Sequence, residues 1–255
     1  RLVQKFEMGE LVLLRGRLSL ALGNLRAIVF ETRGSEPGQN LNTYFDAHVL
    51  TEKYTSYEAM RARDLAIALK GVQIGIDLHS TNLPSQLFLV AQSLRTTLGA
   101  LVAQYLNVPV LLTDPNWVFA GGPSTLDEFF NRGRAGIGIC YESGQAKDTG
   151  RVQEIEAELL DLLRHFKMIT GEPRRIERAT KERYEFAEAL IPKHEQFRFV
   201  DEDHLANFRP VQAGEPIGYD GDRPYITHHT GVLIFPKTPA LRFAGKPVGY
   251  IARRI

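Results

Sequence analysis

The stretch VQIGIDLHSTNLPS, residues Val72 to Ser85, decides the fold. Its first part is almost continuously apolar, which is typical of a strand buried on both faces of a parallel sheet. The run then turns polar at Asp77, His79 and Ser80. A buried strand that ends in polar residues has reached either a turn or a site, and the remaining sequence has to distinguish the two.

Apolar runs alternate with helical patterns through the first part of the chain. The runs that predict further strands are RLSLALGN (17–24), LFLVA (87–91), VPVLLTD (108–114) and AGIGICYES (135–143). Helical spacing of apolar residues covers 56–71, 93–107, 124–133 and 150–169. This alternation predicts an α/β domain over residues 1–171, with a mostly parallel or mixed sheet and flanking helices.

The pattern changes after a charged stretch, TGEPRRIERA (170–179). Beyond it the segments are short, rich in β-forming residues and separated by turn signals such as QAGEP and YDGDRP. The sequence therefore predicts a small C-terminal β domain over residues 172–255.

Composition excludes several classes of protein. The chain has 255 residues, of which 44% are hydrophobic and 24% charged, and its net charge of +1 gives no reason to expect nucleic-acid binding. No apolar run approaches the roughly 18 residues of a membrane span. Cys140 is the single cysteine, so no internal disulfide can form and a cytoplasmic location is expected. Because the chain starts at Arg1 in an apparent helix, we expect that it begins inside a domain.

Polar residues that close two of the predicted strands suggest a site. His79 and Glu142 each follow an apolar run, and the carboxyl ends of parallel strands share one edge of a sheet. Taken singly, such a histidine is more often structural and such a glutamate is as often a cap. Together with Arg33, Asn40 and Asn42 in one loop, they favour a site for a metal and a ligand that carries a carboxylate.

These loops, in this order, resemble the succinylglutamate desuccinylase and aspartoacylase family of zinc-dependent deacylases. The matching motifs are GN (23–24), Arg33, NLNTYF (40–45), DLHST (77–81), GG (121–122) and YESG (141–144). The C-terminal segments VQAGEPIGYDG and GKPVGYIARR resemble the family's terminal β domain. The resemblance covers almost the whole chain.

The resemblance implies a fold like that of the zinc carboxypeptidases and a role for each matching residue. His79 corresponds to a Zn²⁺ ligand, and Asp77 could orient that ligand from the same face of the strand. Glu142 corresponds to the general base that takes a proton from the attacking water and returns it to the leaving amine. Arg33 would polarise the scissile carbonyl or hold a carboxylate, and Asn42 would bind substrate.

Two departures from the family pattern affect these expectations. The family has an H-x-x-E motif, which supplies two zinc ligands, before the strand at 17–24, and no such motif precedes that stretch here. Without those two ligands His79 alone would hold zinc poorly, so the chain as given is expected to be inactive or only weakly metallated. Thr43 stands where the family usually has an arginine that binds substrate, so strongly acidic substrates are not expected. Arg132 is our choice for a replacement charge in substrate binding, and Arg134 competes for that role.

The sequence thus predicts a zinc-dependent amidohydrolase that acts on an N-acyl amino acid or a related small amide. The expected partner is a small-molecule substrate, with no nucleic acid and no membrane, and a homo-oligomer is left open. Two alternatives also stay open at this point. One is a metallocarboxypeptidase acting on peptides, and the other is a family member without a metal site that serves as a binding protein.

Overall fold

The computed structural model describes residues 1–51, 54–91, 96–119, 124–132, 136–146, 148–174 and 180–255, with residue 132 described for its backbone alone. The helices are α1 (Leu2–Glu7), α2 (Leu25–Phe30), α3 (Ala47–Thr51), α4 (Tyr57–Ala68), α5 (Thr97–Tyr105), α6 (Leu126–Arg132) and α7 (Val152–His165). The strands are β1 (Ile74–Thr81), β2 (Phe88–Val90), β3 (Val110–Thr113), β4 (Ile137–Gln145), β5 (Glu182–Leu190), β6 (Phe197–Phe199), β7 (Arg209–Val211), β8 (Pro216–Asp220), β9 (Arg223–Ile226), β10 (Gly231–Ile234) and β11 (Gly249–Arg254).

Eight strands form one mixed sheet in the order β1-β4-β2-β3-β5-β11-β10-β7. The pairs β1–β4, β2–β3 and β3–β5 are parallel, and the other neighbours are antiparallel. Strands β6, β8 and β9 form a separate antiparallel sheet. The predicted α/β class with a mixed sheet, flanking helices and β structure at the C-terminus is confirmed.

Side chains that alternate along the central strands form two cores. On one face, Leu89, Leu111 and Tyr141 are buried together with residues of α5 and α7. On the other face, Phe88, Leu112 and Cys140 are buried with aromatic residues of β5 and β11, as period-two alternation requires. Tyr141 and Cys140 thus belong to opposite faces, and the site described below lies on the Cys140 face.

Helices α4 and α5 each begin after a residue whose hydroxyl caps the helix. The Ser56 side chain accepts a hydrogen bond from the Ala59 N–H at the start of α4. Thr96 does the same for Gly99 at the start of α5. Each hydroxyl satisfies one of the backbone donors that the first turn of a helix leaves unpaired.

The strand predicted over residues 17–24 is wrong. This stretch forms no strand and pairs with no strand of the described chain, and Leu20 and Leu22 are largely exposed. Its backbone carbonyls have another partner, because the Arg61 guanidinium on α4 donates to the Gly23 oxygen at 2.8 Å and to the Leu22 oxygen at 2.6 Å. Hydrogen bonds from a helix side chain therefore take the place of the backbone hydrogen bonds that a neighbouring strand would make.

The sheet continues into the C-terminal part of the chain. Strand β5 pairs in parallel with β3, and β11, β10 and β7 extend the sheet beyond it. The loops that follow these C-terminal strands can therefore reach the face on which β4 carries its polar residues. No helix in the described ranges combines the length and the apolar character needed to cross a bilayer.

Candidate active site

The pairing of β1 with β4 brings four polar side chains together. In this parallel pair Asp77 is opposite Cys140, and His79 is opposite Glu142. Because side chains two positions apart on a strand share a face, these residues lie on one face of two adjacent strands. The imidazole and the carboxylate thus lie together on adjacent strands, as expected from the sequence. Their roles stay predictions.

The imidazole of His79 is held by Asp77. Its Nε2 lies 2.7 Å from the Asp77 Oδ2, and the His79 carbonyl oxygen accepts a hydrogen bond from the Ser143 hydroxyl at 2.7 Å. Burial lowers the pKa of His79, but the charge and hydrogen bond of Asp77, with Glu142 next, outweigh it and raise the pKa to about 9. The ring is therefore held in the manner of a ligand whose second nitrogen bonds a carboxylate.

Glu142 is a buried carboxylate with an unused acceptor. Its exposed fraction is 5%, and its Oε2 makes no hydrogen bond to the described part of the chain. The Cys140 Sγ donates weakly to its Oε1 at 3.8 Å. Burial raises the pKa of Glu142, while the positive charges of His79 and Arg33 act in the opposite direction. Such a group is suited either to accept a proton or to bind a cation.

Helix α6 brings a further acid, Asp127, to this face. The helix can pack here because two paired glycines lie beneath it: a Cβ on Gly75 would come within 2.0 Å of the Phe130 ring, and one on Gly138 within 1.9 Å of the Asp127 carbonyl oxygen. Asp127 is buried, and burial raises its pKa to about 6, although a hydrogen bond with Thr125 opposes this. Sequence reasoning missed Asp127, because an acid in the first turn of a helix is an ordinary feature.

The residues present fit a divalent metal ion of zinc type. Single donor atoms of His79, Cys140 and Glu142 lie within 4.8 Å of one another. Imidazole, thiolate and carboxylate are all ligand types that zinc takes in proteins. The unpartnered Glu142 oxygen also calls for a donor or a cation. Cys140, two positions before Glu142 on β4, belongs to this set.

The residues predicted to contact the substrate lie in different surroundings. Arg33 is exposed in the loop after α2, and its charge acts on Glu142. The Asn42 side-chain oxygen accepts a hydrogen bond from the Leu126 N–H at 2.8 Å, so this residue ties its loop to the start of α6. The side chain of Arg132 and the whole of Arg134 lie outside the described residues, as do the glycines at 121 and 122.

Lys237 in the C-terminal region also belongs to the surroundings of this site. It is half-buried, and burial together with the positive charge of Arg33 lowers its pKa to about 8, while Glu142 opposes that shift. Sequence reasoning did not identify Lys237. Its position after an apolar strand, in GVLIFPK, is the signal that could have found it.

Two family models match the chain. The succinylglutamate desuccinylase/aspartoacylase catalytic domain matches residues 1–165, and the AstE/AspA barrel-sandwich hybrid domain matches residues 179–240. This chain belongs to the succinylglutamate desuccinylase/aspartoacylase family. The resemblance read from the sequence motifs is thereby confirmed. No curated protein matches the chain in a sequence comparison.

Solved structures of the family share this fold. A succinylglutamate desuccinylase from Vibrio cholerae has 19% identity and a TM-score of 0.79, over 99% of this chain and 74% of that one. The enzyme of the same name from Vibrio parahaemolyticus has 18% identity and a TM-score of 0.78, over 99% and 75%. Murine aminoacylase 3 has 18% identity and a TM-score of 0.64, over 99% and 89%. At these low sequence identities the comparison shows similarity of fold alone.

Proposed function

We propose that this family member is a zinc-dependent amidohydrolase that acts on an N-acyl amino acid or a related small amide. The observation that carries the proposal is the pairing of His79 with Glu142 on adjacent parallel strands, with Asp77 behind the imidazole. A ligand-type histidine beside a buried carboxylate, one of whose oxygens has no hydrogen-bond partner among the described residues, is an arrangement for hydrolysis assisted by a metal. Membership of a deacylase family supports the choice of an amide as the bond that is cleaved.

Each side chain has a defined task in this reaction. Zinc bound at His79 would polarise the acyl carbonyl and lower the pKa of a water molecule. Asp77 fixes the orientation of the imidazole through its 2.7 Å contact. Glu142 takes a proton from the attacking water and delivers it to the leaving amine. Arg33, an exposed cation whose charge reaches Glu142, stabilises the negative charge that develops on the carbonyl oxygen.

The substrate is expected to be weakly charged. Thr43 is exposed and its hydroxyl donates to the Asn40 carbonyl oxygen at 2.9 Å, so it offers no positive charge for a second carboxylate. Asn42 keeps its amide nitrogen available, since only its oxygen has a hydrogen bond within the described chain. We retain Asn42 and Arg132 as proposed substrate-binding residues, and we expect neutral acylamino acids to be preferred over strongly acidic ones.

Metal content and hydrolysis test this proposal together. The protein is purified without chelator, its transition metals are measured by elemental analysis, and amine release is followed with N-acetyl and N-succinyl derivatives of leucine, alanine, aspartate and glutamate. After reconstitution with zinc we expect metal bound at His79, metal-dependent hydrolysis, and loss of both on substitution of His79 by alanine. Metal-free protein that stays inactive after reconstitution with zinc would instead support the non-catalytic binding protein.

A further inference from the structure

Lys237 lies in the loop that follows β10, on a part of the chain far in sequence from the catalytic strands. Its ammonium group is close enough to Arg33 and Glu142 for their charges to act on it. Three segments therefore converge: the loop after α2, strand β4 and the loop after β10. Lys237 and Arg33 thus bring two positively charged side chains into the surroundings of Glu142.

The loop after β10 is fixed against the strand beside Glu142. The Phe235 ring packs against the Phe88 ring with centroids 5.5 Å apart, and Phe88 is the backbone partner of Glu142 in the β2–β4 pair. The Phe235 N–H also donates to the Asn207 side-chain oxygen at 2.7 Å. These contacts set the distance between the loop and the catalytic strand independently of any charge.

The backbone of Lys237 is itself held from both sides. Its N–H donates to the Val248 carbonyl oxygen at 2.7 Å, and its own carbonyl oxygen accepts from the Arg242 Nε at 2.9 Å. The Arg242 side chain is 2% exposed, and its Nη2 donates to the Glu202 Oε2 at 2.7 Å. A lysine on so constrained a backbone can present its ammonium group at a defined place.

In the part of the chain that the structure describes, neither Lys237 nor Arg33 has an ion-pair partner of its own. Within the described ranges, no salt bridge or side-chain hydrogen bond joins either residue to another group, and Glu142 is the only acid whose charge is seen to act on Lys237. Two neighbouring cations repel each other, and negative charge on a bound ligand relieves the repulsion.

We propose that Lys237 binds the α-carboxylate of the N-acyl amino acid and thereby determines specificity for substrates that carry this carboxylate. The inference rests on the proposed function and extends it. Lys237 holds the substrate while Glu142 and Arg33 act at the amide.

The test compares substrates that differ only in the carboxylate. The metal-loaded protein is assayed with N-acetyl-leucine, N-acetyl-alanine and their C-terminal primary amides, as wild type and as Lys237→Met. Loss of a charge-assisted pair raises KM for the acids by roughly tenfold to hundredfold, with kcat little changed. The amides, which lack the charge, should show the same kinetics with both proteins. Lys237→Arg should recover most of the loss, because it restores the charge.

A matched control and a binding measurement complete the test. Lys246→Met removes an exposed lysine from the same region and should leave all four substrates unaffected. Calorimetric binding of N-acetyl-leucine and its amide, with Tm as a check of folding, gives a readout that needs no turnover. If no substrate is hydrolysed but Lys237→Met still weakens binding of the acid selectively, the proposed function fails and the role of Lys237 stands. Equal effects of Lys237→Met on the acid and the amide, or no effect on either, overturn the proposed role of Lys237.

Discussion

Replacement of Glu142 by glutamine is the most direct test of the catalytic proposal. The variant keeps the shape of the side chain but cannot accept a proton from water. Loss of a general base lowers kcat by at least about 10²-fold. That factor corresponds to an increase of about 2.7 kcal/mol in the activation free energy. KM should change little, because the geometry around the substrate is retained.

The structure indicates that this substitution leaves the fold intact. Glu142 is 5% exposed and one of its oxygens has no hydrogen-bond partner in the described chain, so the side chain anchors little of its surroundings. Glutamine introduces no charge at this buried position, where an ionised carboxylate is costly. We therefore expect the Tm of Glu142→Gln to equal or exceed that of the wild type.

Three measurements on one pair of variants decide the role of Glu142. Amide hydrolysis gives kcat, elemental analysis gives the metal content, and thermal unfolding gives Tm. The matched control is Glu158→Gln. Glu158 is also buried, with 1% exposure, and burial also raises its pKa. It lies on the opposite face of the sheet, where it accepts a hydrogen bond from Tyr141. The control should keep the wild-type kcat.

Two results would refute the reasoning about Glu142. An unchanged kcat in Glu142→Gln would show that Glu142 has a structural role only. A variant that loses its metal together with its activity would make Glu142 a ligand beside His79 and Cys140, in keeping with the distances among these donors. The proposed role as base requires a low kcat with the metal still bound.

Three further predictions concern the metal, the substrate and stability. Asp77→Asn should weaken metal binding by roughly tenfold to hundredfold, since Asp77 orients His79; unchanged affinity in a competition titration would contradict this. Thr43→Arg should raise kcat/KM for N-acetylaspartate relative to N-acetyl-leucine by about tenfold or more, and an unchanged ratio would argue against a carboxylate site there. Burial acts to raise the pKa of Glu202, but pairing with Arg242 holds this pKa below its usual 4.5. The pair therefore stabilises the fold at neutral pH, and this stabilisation is lost as the pH falls through the lowered pKa. The difference in unfolding free energy between wild type and Glu202→Gln should therefore shrink on acidification below about pH 4, and a constant difference would exclude the pair as its source.

Local signals in the sequence were sufficient for most of the central sheet. The apolar runs at 87–91 and 108–114 became β2 and β3, and the helical pattern at 56–71 became α4 with Ser56 as its cap. The run at 17–24 has the same kind of signal but forms no strand. Strand formation needs a partner along the sheet, and here the guanidinium of Arg61 takes the backbone oxygens instead.

The site shows the same division between local and tertiary information. His79 and Glu142 could be found because each ends an apolar strand, and strand ends share an edge in parallel sheets. Asp127 could not be found, because it reaches the site only where α6 packs against Gly75 and Gly138. Lys237 comes from another part of the chain and depends on contacts among aromatic side chains.

The sequence by itself determined the α/β class, the family and the two strand-end residues, since each depends on patterns within a few neighbouring positions. Tertiary structure alone decided that Cys140 lies with His79 and Glu142, that the Asn42 oxygen caps α6 rather than facing the site, and that Lys237 approaches Arg33. These are contacts between segments far apart in the chain. Their geometry depends on how side chains pack across the whole sheet, and no local pattern encodes that.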